Sequence, residues 1–128
     1  MKQISTTSAP AAIGPYAQAV AVGPFLYTSG QIPLSPDGTF MQGDIATETK
    51  QVLENLDAIL KEAGYGRNEV VKTTIFMTNL AHFAEVNEFY AEFFGDHRPA
   101  RSTVQVAALP RGAQIEIEVM AYHAVNEN

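Results

Sequence analysis

The chain has 128 residues, 46% of them hydrophobic and 17% charged, with a formal net charge of −6. That length and composition predict one folded domain over residues 1–128 and exclude a disordered or low-complexity chain. The acidic balance and the eight scattered basic residues argue against nucleic acid or an anionic membrane as partner, and the absence of cysteine excludes disulfides, thiolate nucleophiles and zinc–thiolate sites.

The opening segment, Met1 to Thr7, has no apolar stretch that would serve as a signal peptide, and no run approaches the ~20 residues needed to cross a bilayer. A cytoplasmic protein is therefore the expectation. Residues 1–18 read as an extended lead-in punctuated by Pro10, Gly14 and Pro15. Residues 19–29 alternate around Gly23-Pro24, which predicts two short strands joined by a tight turn. Ser35-Pro36-Asp37-Gly38 is a turn in which proline presets φ and glycine supplies a positive φ.

Residues 45–63 carry Val52, Leu53, Leu56, Ile59 and Leu60 at helical spacing, with Asp44 as N-cap and Gly64 just past the end. Residues 70–77 are rich in β-branched side chains and read as a strand. A second helix follows over 81–94. Phe83, Val86, Tyr90, Phe93 and Phe94 form its buried stripe, read as core, and Gly95 ends it. Two more strands are expected near 101–107 and 114–122. In the last, Ile115, Ile117 and Val119 point one way and Glu116, Glu118 and Met120 the other. In the first, Ser102, Val104 and Val106 oppose Arg101, Thr103 and Gln105.

Two helices of this length cover one face of a sheet of five or six strands. Phe76 or Val70, together with Met120, makes the other face too apolar for a fully wet surface, and its polar residues make it too mixed for a dry core. Self-association through that face resolves the conflict.

Two charges stand out on otherwise apolar or neutral strand runs, Arg101 and Glu116. Arginine is a fixed cation whose planar fork of donors matches a carboxylate, and a glutamate on a neighbouring strand could orient a water. Together they point to a small carboxylate-bearing molecule attacked by water. The competing reading is a pair of exposed strand charges, or an ion pair.

Two further segments are candidates. Ala12-Ile13-Gly14-Pro15-Tyr16 sets a tyrosine after a rigid turn. Tyr27 to Pro33 ends a strand in small polar residues, where Gly30 would let a ligand approach the main chain. Ordinary turn chemistry explains each as well. The three histidines, His82, His97 and His123, lack metal-binding spacing and are read as surface or helix-end residues. Gly64-Tyr65-Gly66 is a helix-terminating turn rather than a phosphate loop, and no Gly-x-Ser-x-Gly elbow is present.

Several blocks taken together carry a family resemblance. They are Ala-Pro-Ala-Ala-Ile-Gly-Pro-Tyr at 9–16, Thr-Ser-Gly-Gln-Ile-Pro at 28–33 and Val-Val-Lys-Thr-Thr-Ile-Phe at 70–76, then Phe-Ala-Glu-Val-Asn at 83–87, Arg-Pro-Ala-Arg-Ser at 98–102 and Ile-Glu-Ile-Glu at 115–118. Over essentially its whole length the chain resembles the deaminase branch of the Rid family, also called YjgF. The resemblance implies a chorismate-mutase-like α+β fold, a mixed sheet with two helices on one face, and a homotrimer with three sites between subunits. It implies hydrolysis of 2-iminobutanoate and 2-iminopropanoate, released by pyridoxal-phosphate-dependent dehydratases, to 2-oxo acids and ammonia. Other pyridoxal-phosphate enzymes are thereby protected, and no cofactor is implied.

Carried over by motif, Arg101 clamps the substrate carboxylate and Glu116 positions the attacking water. Tyr16, Ser29, the Gly30 backbone, Asn87 and Thr103 line the pocket. Thr103 stands where many members of that branch carry cysteine. A thiol nucleophile is not needed for imine hydrolysis, so activity is expected to survive the change, without any thiol-based regulation. Distant branches that lack the arginine are read as small-molecule-binding regulators. Some relatives are credited with RNA cleavage or inhibition of translation.

Overall fold

The computed structural model describes residues 1–124; the last four residues of the expected 1–128 domain lie outside the described residues. Six strands and two helices follow in the order β1 (Lys2–Ile4), β2 (Ala19–Val22), β3 (Phe25–Thr28), α1 (Ile45–Ala63), β4 (Val70–Met77), α2 (Phe83–Phe94), β5 (Ala100–Gln105) and β6 (Ile115–Tyr122). The strands form one sheet in the order β1-β2-β3-β6-β4-β5. Only β4 and β5 pair in parallel; every other neighbouring pair is antiparallel. The fold is α+β with a mixed sheet, as expected. The extended lead-in contains a strand that the sequence reading lacked, because three residues of edge strand are too few to show an alternation.

Helix α1 begins where Asp44 accepts the Thr47 N–H at 2.9 Å and ends where Gly64 adopts φ 84°, a left-handed cap closed onto the Leu60 and Lys61 carbonyls. Its apolar stripe of Val52, Leu53, Leu56, Ile59 and Leu60 is buried against the sheet and α2. Helix α2 starts two residues later than expected, because Leu80–His82 form a single 3₁₀ turn in which Asn79 accepts the Ala81 N–H. Both helices pack on one face of the sheet, with Ile75, Met77, Ile115, Ile117 and Ala121 beneath them, each fully buried.

The structure settles the strand faces: of Phe76 and Val70, it is Phe76 that shares the open face with Met120. Val70 faces the helices and is fully buried, not on the open face. A register shift between Val70 and Lys72 leaves Val71 as an extra, exposed residue, and that bulge inverts the alternation upstream of Lys72. On β5 the polar set faces the helices: Arg101 pairs with buried Thr73 and Thr103 with buried Ile75, while Ser102 and Val104 share the open face with Thr74 and Phe76. An edge strand touching only the rim of α2 has no need of an apolar inner face. Among the described residues, no helix is long and apolar enough to cross a membrane.

Candidate active site

The candidate residues divide into two groups on opposite faces of the sheet. The first surrounds Glu116. It lies on the open face of β6, paired in register with Phe76, and it borders a cavity of ≈ 620 Å³ together with Tyr16, Ser29 and Gly30. Three local arrangements build this group. The Gly30–Gln31 segment is stitched to β6 by Gln31 N–H donating to the Ile117 carbonyl at 2.9 Å and Ile117 N–H donating back at 3.2 Å. That bridge lays the Gly30 backbone directly against the Glu116 side chain. A methyl group built on Gly30 would overlap the carboxylate and lie 2.7 Å from Cδ and 2.9 Å from Cγ. Glycine lets the Glu116 carboxylate lie against the main chain here, in the space a Cβ would fill, and any larger residue would displace that carboxylate.

Ser29 is held from both ends, its N–H donating to the Gln18 carbonyl at 2.9 Å and its hydroxyl to the Ala17 carbonyl at 2.6 Å. The hydroxyl proton is thus committed to the main chain, and its oxygen stays available as an acceptor. Tyr16 is largely exposed, with its ring over Gly14, whose φ of 130° turns the chain at this point. The sequence reading missed Gln18. Its buried amide accepts the Thr6 N–H at 2.7 Å and donates to the Pro10 carbonyl at 2.8 Å and the Thr6 carbonyl at 3.1 Å. This clasp holds the lead-in as one wall of the cavity. A lone amide in an apolar stretch was the available signal.

Burial, and secondarily the like charge of Glu118 two residues away on the same face, raises the Glu116 carboxyl above the ordinary carboxylate range. A half-buried carboxylate of raised basicity is suited to take or orient a proton from water.

The second group surrounds Arg101, on the helix-facing side of β5. Its guanidinium donates to Asn87 Oδ1 at 2.7 Å, with its carbon 5.0 Å from the centre of the Phe83 ring and 4.8 Å from that of Tyr90. Residues 83, 87 and 90 form one stripe of α2. Two aromatics of the expected core stripe thus flank the arginine. A third, Phe93, stacks under Arg67 at 3.9 Å. Tyr90 is anchored in the core by a 2.7 Å hydroxyl contact with Thr73. Its phenol is pushed above the ordinary range by burial, against the opposing pull of Thr73 and Arg101.

A recess of ≈ 430 Å³ opens beside Arg101, lined also by Asn87, Tyr90 and Arg98. Arg98 is a second cation that the sequence reading passed over; it donates to the His97 carbonyl at 3.0 Å. Thr103 lies on the same face of β5 as Arg101, and its hydroxyl oxygen is buried with no hydrogen-bond partner among the described residues.

One expectation is corrected. Arg101 and Glu116 do not lie on neighbouring strands. β4 separates β5 from β6, and the two side chains leave opposite faces of the sheet. Within one chain they neither pair nor share a cavity. Among the described residues, no group of three or more His, Asp or Glu side chains converges as a metal site would require.

Similarity to known proteins spans nearly the whole chain. Residues 6–123 match the sequence profile described as endoribonuclease L-PSP. A mouse protein named 2-iminobutanoate/2-iminopropanoate deaminase is 52% identical over 121 residues, covering 94% of this chain and 90% of that protein. A Lactococcus lactis protein named as a candidate regulator, AldR, is 51% identical and covers 94% of this chain and 97% of its own. The crystal structure of the Escherichia coli YjgF gene product superposes with a TM-score of 0.92 at 46% identity, over 97% of this chain and 100% of that one. The chain therefore belongs to the Rid family, the group also described as YjgF or endoribonuclease L-PSP.

Proposed function

We propose that this protein hydrolyses 2-imino acids such as 2-iminobutanoate and 2-iminopropanoate to 2-oxo acids and ammonia, as a homotrimer whose sites lie between subunits. The observation that carries this reading is the division of the site. A guanidinium suited to holding a carboxylate and a carboxylate suited to orienting water occupy separate open recesses on opposite faces of one sheet. A second copy that brought its Arg101 recess against the Glu116 cavity would complete the site, and it would also cover the mixed open face. Phe25, Tyr27, Val104 and Tyr122 are each more than a third exposed on that face.

The reaction follows from these groups. The substrate carboxylate lies against the free edge of the Arg101 guanidinium, whose other edge is held by Asn87. Fixing that carboxylate fixes the angle at which water meets C2. Glu116 orients the water and takes a proton as its oxygen bonds to C2. The C2=N electron pair moves to nitrogen, which receives that proton from Glu116; the carbinolamine's hydroxyl proton then passes to the amine as the C–N bond breaks, releasing ammonia and leaving the C2 carbonyl. The reaction runs unaided in water, so a site with few catalytic groups is sufficient. Such a protein would act in the cytoplasm beside dehydratases that release enamines, and would spare pyridoxal-phosphate enzymes from attack by them. The deaminase name borne by mouse, human and Escherichia coli relatives about half identical to this chain supports the reading.

The name of the Lactococcus relative favours a second reading, a trimer that binds small acids to regulate and turns nothing over. A dehydratase-coupled assay separates the two: loss of the imine is followed with and without this protein. Deaminase activity appears as faster imine loss in proportion to protein. A rate unchanged by the protein, while 2-oxobutanoate still binds, selects the regulator.

A further inference from the structure

Arg111 is the only non-glycine residue among those described that has a positive φ, 62° with ψ 15°. A side chain in the left-handed region is uncommon and strained, and it persists where the surroundings over-determine it. They do so here. The turn Pro110–Gly112 is closed by Gly112 N–H to the Leu109 carbonyl and Ala113 N–H to the Pro110 carbonyl, both 3.2 Å. Downstream, Gln114 is clamped to α1 by the buried carboxylate of Glu48, which accepts its main-chain N–H at 2.8 Å and its side-chain amide at 2.6 Å.

Despite this outlay, the Arg111 side chain makes no hydrogen bond or ion pair among the described residues. It borders the Glu116 cavity and is the only cation there. It also borders a smaller recess beside Glu48, but that carboxylate is already taken by Gln114. The ≈ 620 Å³ of the Glu116 cavity is measured on a single chain, and a second copy laid against it would close its open side. Most of its remaining lining is apolar: Pro10, Ala11, Ile13, Ile32 and Leu34. An exposed cation, unpaired among the described residues and set at the edge of a largely apolar cavity, is placed to receive an anionic group at a distance from the reacting carbon.

We propose that Arg111 is a specificity residue that receives a second, distal anionic group. The site then takes imino acids with a carboxylate on the side chain as well as the four-carbon monocarboxylates. The assignment rests on the deaminase reading for its chemistry, but not for its binding test.

Calorimetry would compare two products, 2-oxobutanoate and the dicarboxylate 2-oxoglutarate, on the wild type, Arg111→Ala and Arg111→Gly. Loss of a charge-assisted hydrogen bond should weaken 2-oxoglutarate ~10–100-fold in both variants. Affinity for 2-oxobutanoate should be unchanged. Arg111→Gly should melt at or above the wild type, because glycine accepts this backbone without strain. Equal weakening for both acids, no weakening for either, or a lowered melting temperature in Arg111→Gly would each overturn the proposal. Turnover of imines generated by an amino acid oxidase from glutamate and from 2-aminobutanoate separates the two claims. Arg111-dependent binding without any hydrolysis would sink the deaminase reading and keep this one. Hydrolysis of both imines at rates indifferent to Arg111 would do the reverse.

Discussion

Arg101 and Glu116 stood out in the sequence as charges on otherwise neutral strand runs, and the family resemblance supplied the roles proposed for them. Their separation was not legible, since β6 follows β5 in sequence but inserts between β3 and β4 in space. Each residue carries its own test. Arg101→Ala should abolish imine hydrolysis and leave the melting temperature unchanged, because the guanidinium is exposed and its loss empties no core. Arg101→Lys should not restore full activity, for an ammonium cannot span both carboxylate oxygens. Wild-type turnover in Arg101→Ala at matched oligomer content would remove the clamp from the mechanism.

The role of Gly30 was half legible. A close approach was expected there, and what approaches is the Glu116 carboxylate. Gly30→Ala must push that carboxylate aside, so turnover should fall by the ~10²–10⁴ typical of a lost general base, while 2-oxobutanoate still binds. Glu116 also sets a pH dependence. Its raised folded pKa means that the fold favours the protonated form. That contribution to stability is fully present below the unfolded value and is lost as pH rises through the folded one. Activity needs the ionised form, so the acid limb of kcat/KM should lie above the ordinary carboxylate range. Glu118→Gln removes the secondary cause and should move the limb down with maximal turnover retained. A limb that stays in place would mean that Glu116 is not the titrating base.

At the scale of elements, legibility tracked how completely a segment's burial follows its period. Nineteen residues of α1 show the 3.6 repeat plainly, and both of its ends fell where Asp44 and Gly64 put them. Leu56 lies in the middle of that stripe and is 1% exposed. Leu56→Ala should cost about 2–5 kcal/mol in chemical denaturation, as a cavity between helix and sheet. A cost within experimental error would show that α1 is not packed as described. The period failed on β4 and β5 for different reasons. One extra residue at Val71 inverts the phase of β4, and nothing in a run of β-branched residues marks where a bulge falls. On β5 the inward residues are polar because this edge strand meets only the rim of α2, where Arg101 donates to Asn87 and Gln105 accepts the Leu80 N–H. Such a strand buries no apolar face, so its alternation does not mark which side is inward. The aromatics of α2 were legible as a stripe but not as a cradle. Phe83 and Tyr90 look the same in sequence whether they face leucines or a guanidinium.

For the molecule as a whole, the proposed site between subunits and the mixed open face both predict a second copy of the chain. Sedimentation should show one species at three times the 13.9 kDa chain mass, and the melting temperature should rise with protein concentration. A stricter test uses the two halves of the site against each other. Arg101→Ala retains Glu116 but lacks the clamp, and Glu116→Gln retains the clamp but lacks the base, so each homotrimer should be inactive. In trimers re-formed from an equal mixture, a site between subunits joins Arg101 of one chain to Glu116 of its neighbour. Random assortment in a cyclic assembly then restores about a quarter of the sites. Activity should return to that fraction of the wild-type rate after subunit exchange, and should track the mixed species when the two variants carry tags of different mass. If each chain instead housed its own complete site, no arrangement of the two defective chains would regain activity. A mixture no faster than its separate components, with exchange verified by mass, would refute the shared site and require Arg101 and Glu116 to act apart.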